Sequence, residues 1–117
     1  MKVVYMSLTG NVRNFVSKLG TDNVLEIING DEQVDEEFVL VTHSPDAGEI
    51  PYEIEDFMDE YKDLCKGVAA SGDRAYGDDY TIVAETISEE YGVPIVHRFE
   101  FDGSDEDVEV VKQFING

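Results

Sequence analysis

The chain has 117 residues, 42% of them hydrophobic, and carries eight Lys or Arg against 27 Asp or Glu, for a formal charge of −19. That is one domain's worth of sequence, residues 1–117, with enough apolar and aromatic material for a core and too much of both for a chain disordered by charge. So large an acid excess is repelled by a phosphate backbone or an anionic leaflet, which excludes nucleic acid and membrane as partners. No apolar run approaches the ~20 residues of a membrane span. The opening Met1-Lys2-Val3-Val4-Tyr5 alternates like a strand rather than a signal peptide, and a cytoplasmic location is expected. Cys65 has no second cysteine to pair with, and with two distant histidines it makes a poor zinc set.

Short β-rich runs alternate with helical patterns along the chain. Lys2 to Met6 reads as a strand. Val12, Phe15, Val16 and Leu19 then recur at helical spacing before Gly20 stops the helix. Val24 to Ile28 is a second strand, and 29–37 is a polar, loop-like connection. Phe38-Val39-Leu40-Val41-Thr42 is an uninterrupted apolar run suited to a strand covered on both faces.

Pro51 suits a first helical position, and Ile54, Phe57, Met58 and Tyr61 form a one-sided stripe behind it. Residues 64–70 give a fourth strand that ends in Ser71-Gly72. Tyr80, Val83, Ala84, Ile87 and Tyr91 mark a third helix, stopped by Gly92-Val93-Pro94. Ile95 to Phe101 is a fifth strand. A last helix runs from about Ser104, its N-cap, to Ile115, with acids in its first turn and Val108, Val111 and Ile115 facing inward.

This order predicts an α/β, flavodoxin-like three-layer sandwich: a five-stranded parallel sheet in the order 2-1-3-4-5 with helices on both faces. The second connection decides it. Nine residues must return roughly 17 Å along the sheet and cross roughly 10 Å sideways, at ~3.3 Å per residue and ~4.8 Å per strand. Extended, they reach ~30 Å, so no helix is needed. The chain then reverses between strands one and three, and ligand chemistry is expected in the crevice at their carboxyl ends.

Three loops would converge there, 7–12, 42–51 and 71–80, all rich in small, hydroxyl and glycine residues. In the first, Ser7 and Thr9 supply hydroxyls, Gly10 permits close backbone approach, and a helix start supplies free N–H groups, which together suit a phosphate monoester. The loop has no lysine, which separates it from nucleotide-hydrolase P-loops, and it lacks the spaced glycines of a dinucleotide fingerprint. The plainer alternative is a capped turn with no ligand.

Ser7-Leu8-Thr9-Gly10-Asn11-Val12, Thr42 to Pro51 and Ala70-Ser71-Gly72-Asp73-Arg74-Ala75-Tyr76-Gly77-Asp78 together resemble the NrdI family of small flavodoxin-like proteins, as do Val93-Pro94-Ile95-Val96 and 105–110. The resemblance covers nearly the whole chain. It implies a bound flavin mononucleotide (FMN) that passes an electron to dioxygen. The resulting superoxide-type oxidant then serves the dimanganese site of a class Ib ribonucleotide reductase small subunit, where a tyrosyl radical is generated. A flavodoxin-type reductant is implied as a further partner. Carried over by position, Ser7, Thr9, Gly10, Asn11 and Val12 would cradle the FMN phosphate. Thr42, His43, Ser44, Ala47 and Gly48 would flank the isoalloxazine on one side, and Ser71, Gly72, Asp73, Tyr76, Gly77 and Asp78 on the other.

The chain departs from the family pattern at His43, where Tyr is frequent, at Asp46 and Ala47, where glycine and an aromatic are common, at Asp73 for Asn, and at Tyr76 for Trp. Tyr76 keeps a ring for stacking, while Asp73 turns an amide donor into an anionic acceptor. Gly48 permits a peptide flip that presents either N–H or C=O to the flavin. His43 either borders the flavin and titrates near neutral pH or is an exposed loop histidine without a role. His97 and Cys65, inside strands, are read as structural. Arg74 is a rare cation beside the crevice, available to an acid or an acidic partner.

Residues 19–61 hold fourteen Asp or Glu and no Lys or Arg. A carboxylate ~8 Å from a flavin that gains an electron opposes the gain by ~2 kcal/mol at an effective dielectric of ~20. These acids would keep reduced FMN a strong donor and steer docking to a basic face, although a solvated outer face gives the same count. Two other functions fit the same residues: an ordinary electron-shuttling flavodoxin, and a flavin-free module that binds a protein.

Overall fold

A computed structural model describes residues 1–8, 10–44 and 49–117, with only the backbone of 76, 78 and 79. The elements in order are β1 (Lys2–Met6), α1 (Asn11–Ser17), β2 (Val24–Glu26), β3 (Phe38–His43), α2 (Tyr52–Tyr61), β4 (Cys65–Gly72), α3 (Ile82–Tyr91), β5 (Ile95–Glu100) and α4 (Asp105–Asn116). Short 3₁₀ turns at Lys62–Leu64 and Arg74–Asp79 precede β4 and α3. All strand pairs are parallel and the sheet order is β2-β1-β3-β4-β5, the order that the connection lengths allow.

Alternation along the strands builds two cores, one on each face. Val4, Met6, Leu40, Val68 and Ala70 meet Ile54, Phe57 and Met58 of α2 and Val83, Ala84 and Ile87 of α3. Val3, Tyr5, Val39, Val41, Ala69 and Phe99 meet Val12, Phe15 and Val16 of α1 and Val108 and Val111 of α4. Phe15 stacks on Phe99 with ring centroids 4.0 Å apart, and a Cβ at Gly103 (φ 76°) would come within 2.6 Å of the Phe15 ring. That glycine lets the turn after β5 close over the aromatic pair.

The 29–37 connection crosses without a helix, and its polar residues organise it. The Glu32 carboxylate accepts the amides of Ile28, Asn29 and Gly30 at 2.9, 3.0 and 2.9 Å. Partial burial pushes the Glu32 pKa up, but the amides of Asn29 and Ile28 outweigh it and hold the carboxyl below the usual range. Gly30 (φ 94°) lies so close to the Glu53 carbonyl that a Cβ would come within 2.8 Å. The loop is thereby pressed against the start of α2.

Several boundaries differ from the sequence reading. β2 stops at Glu26 rather than Ile28: the Ile27 amide still donates to the Tyr5 carbonyl of β1, but the amides of Ile28 and Asn29 turn to Glu32. β4 runs on through Ser71 and Gly72, which pair with Phe99 and Glu100 of β5. α3 begins at Ile82 rather than Tyr80, after the 3₁₀ turn. α4 starts as expected: Ser104 accepts from Asp107 N–H and the Asp107 carboxylate accepts from Ser104 N–H, a complete capping box.

The two residues read as structural lie within strands, Cys65 in β4 and His97 in β5. Cys65 is buried, which pushes its thiol up to about 11. His97 lies 2.7 Å from Asp107 and joins β5 to α4.

Candidate functional site

The carboxyl ends of β1, β3 and β4 lie side by side and bring the three loops to one edge of the sheet. The first loop is built around Ser7, whose hydroxyl oxygen accepts the Gly10 amide at 3.1 Å and the Arg13 amide at 3.2 Å. Gly10 (φ 91°) precedes α1 in the left-handed region with nothing within 4 Å of a would-be Cβ, so backbone conformation alone calls for glycine there. Asn11 and Val12 open α1, where first-turn amides have no intrahelical acceptor. Val12 is 1% exposed with its side chain in the core, so only its amide can serve a ligand. The Arg13 guanidinium is engaged by Glu26, which also accepts from the Tyr5 hydroxyl. Thr9 lies outside the described residues.

In the second loop Thr42 is fully buried and its hydroxyl donates to the His43 carbonyl at 3.0 Å. His43 is the last residue of β3, in register with Ser71, and not the exposed loop residue that one sequence reading allowed. Both its ring nitrogens are closed off from solvent without a hydrogen-bond partner among the described residues. Burial lowers its pKa, and the Met6 carbonyl and Glu53 carboxylate pull it partly back, though no ring nitrogen reaches hydrogen-bond geometry. Ser44 accepts the Val83 amide at 3.4 Å and so tethers the loop to the start of α3. Asp46, Ala47 and Gly48 fall outside the described residues.

The third segment is largely occupied by its own fold. Ser71 donates its hydroxyl to the Phe101 carbonyl. A Cβ at Gly72 would collide with the Tyr80 carbonyl. Asp73 caps the 3₁₀ turn by accepting the Ala75 amide at 2.9 Å, a task for which Asp and Asn are equally suited. Gly77 adopts φ 67°, ψ −135°, which kinks that turn. Arg74 lays its guanidinium 5.3 Å from the Tyr80 ring centroid, and its amide donates to Glu100 at 3.0 Å. The side chains of Tyr76 and Asp78 are among those not described.

Between the first and second loops opens a cleft of about 420 Å³, lined by Leu8, His43, Tyr52 and residues 49–51, with Glu53 and Glu55. That volume lies within the range of small-molecule sites. The sequence reading missed Leu8, Ile50 and Tyr52 as walls of this cleft, although hydrophobic residues on either side of a predicted ligand loop were the available signal. It also missed the turn after β5: Glu100 and Phe101 (φ 53°) anchor the third segment from below.

The residues present suit a flavin nucleotide. The Ser7 turn offers uncharged backbone donors, and the cleft is partly apolar with one wall carrying an unpartnered imidazole. Glu49, Glu53 and Glu55 along the cleft oppose added negative charge. Among the described residues no helix is long and apolar enough to cross a membrane, and no group of three potential metal-ligating side chains converges.

A response regulator from Colwellia psychrerythraea has a similar structure, with a TM-score of 0.55 over 98% of this chain and 94% of that one. At 16% identity the likeness speaks for the fold alone. The family described as NrdI Flavodoxin like matches residues 3–113, which spans β1 through most of α4. The chain belongs to the NrdI flavodoxin-like family.

Proposed function

We propose that the protein is an FMN-dependent redox activator of a class Ib ribonucleotide reductase. Membership of the NrdI flavodoxin-like family across residues 3–113 carries this reading, and it supports both a flavin cofactor and a role in activating the reductase. When bound, FMN supplies one-electron reduction of dioxygen to a superoxide-type oxidant, used by the small subunit to assemble its dimanganese-tyrosyl radical centre. A flavodoxin-type protein would be the electron donor.

The chain's own residues have separable tasks in this reading. Ser7 shapes the first loop so that the amides after Gly10 face a phosphate, with Thr9 as a second hydroxyl. Thr42 to Gly48 and Ser71 to Asp78 border the ring system, the second segment as a rigid wall tied to Phe101 and Glu100. Leu8, Ile50 and Tyr52 exclude water from part of the cleft. Glu49, Glu53 and Glu55 raise the cost of added negative charge, which favours a strongly reducing cofactor and orients a basic partner surface toward this edge.

The test is to mix the reduced, FMN-loaded protein with dioxygen and manganese-loaded small subunit and record the tyrosyl radical by electron paramagnetic resonance. Radical formation that depends on this protein is expected. A flavoprotein that reduces an acceptor yet yields no radical would instead be an electron shuttle, and a chain that never takes up FMN would be a protein-binding module.

A further inference from the structure

His43 stands out within the cleft because its ring has no assigned use. Its two nitrogens are sealed from solvent and unpartnered among the described residues, an arrangement that costs stability unless something else repays it. Among the described residues, the groups that share the cleft with it can be named element by element. The β1 loop contributes Leu8, and β4 contributes Ser71 in register with it; neither titrates in the relevant range. The segment before α2 contributes Glu49, and α2 contributes Tyr52, Glu53 and Glu55. Among the described residues that line the cleft, none is a lysine or arginine.

The imidazole therefore sits between opposed influences. Burial favours the neutral ring, while the Met6 carbonyl and the Glu53 carboxylate favour the cation. One more negative charge nearby shifts the balance toward the cation. We propose, resting on the FMN reading above, that His43 is a redox-linked proton acceptor: reduction of a flavin in this cleft draws a proton from solvent onto the His43 ring. The resulting imidazolium offsets part of the charge that the acidic walls resist. The electron passes from an external one-electron donor to the flavin. The proton leaves a hydronium ion of the solvent and binds the unprotonated ring nitrogen, so that one O–H bond breaks as one N–H bond forms.

The chain has only two histidines, so its imidazole resonances are assignable by nuclear magnetic resonance with a single variant, His97→Gln. The FMN-bound protein is titrated with acid twice, once oxidised and once fully reduced with dithionite. The expected result is at least a tenfold gain in proton affinity at His43 on reduction, with the resonance of His97, on β5 beside Asp107 of α4, told apart by the variant. In His43→Gln the reduction potential should lose the corresponding part of its pH dependence. Equal His43 midpoints in the two states, or an unchanged pH dependence in His43→Gln, would overturn the proposal. Should wild-type protein leave FMN fluorescence unquenched, the FMN reading falls and this inference with it. Quenched FMN beside an unmoved His43 sinks only the inference.

Discussion

The two walls of the crevice differ in how much of their hydrogen-bonding capacity they spend on themselves. On the β4 side, Ser71 is bonded to Phe101, Asp73 to Ala75 and the Arg74 amide to Glu100, while Gly72 packs against the Tyr80 carbonyl. On the other side, both His43 ring nitrogens lack a partner among the described residues, and Leu8 of the β1 loop and Tyr52 of α2 are 69% and 68% exposed. One wall is scaffold and the other holds unspent chemistry. Hydroxyl and glycine residues look alike in both loops, so residue type by itself does not tell a ligand contact from a structural one.

The largest effect should come from breaking the scaffold. Gly72→Ala places a methyl group against backbone that cannot move aside, and we expect destabilisation of about 3 kcal/mol or more, read by urea unfolding. Ser71→Ala, which strands the Phe101 carbonyl by removing its hydroxyl donor, should cost about 1–2 kcal/mol in the same assay. His43→Phe replaces an unsatisfied ring with an apolar one of similar shape, so the ligand-free protein should be unchanged or stabilised by about 1 kcal/mol. A loss as large as that of Ser71→Ala would mean that the two walls do not differ in this way.

Glu32 sharpens the comparison by pH. Its carboxyl is depressed in the fold, so its contribution to stability is present above the unfolded value of about 4.3 and disappears as pH falls through the lower folded value. Glu32→Gln should therefore flatten the acid limb of stability against pH below about 4, with little change in slope at neutral pH. A parallel displacement of the whole curve with the acid slope intact would show that Glu32 acts through shape rather than charge. Since Glu32 and Gly30 press the connection against the start of α2, the same variant tests whether the loop supports the cleft wall at Glu53.

The fold was legible because its signals are local and repeated. The apolar run of β3, the helical stripes of α2 and α3, and Ser104 with Asp107 ahead of α4 each specify one element. What escaped the sequence depends on partners far along the chain. Ser71 and Gly72 read as a strand terminator, yet β5 arrives about thirty positions later and pairs with both. Glu32 reads as one acid among many, but its three amides end β2 early. In the site, Ser7 and Gly10 were visible as a turn because serine capping and positive φ are local chemistry. The isolation of the His43 nitrogens depends on how the cleft is enclosed, which no spacing rule encodes.

The central claim is that this edge of the sheet seats FMN in a protein of strongly negative charge. Titrating FMN into the purified apoprotein while following flavin fluorescence tests it most directly. Saturable quenching at one FMN per chain, weakened in Gly10→Ala, is the predicted result. Fluorescence that stays that of free FMN throughout the titration would contradict it.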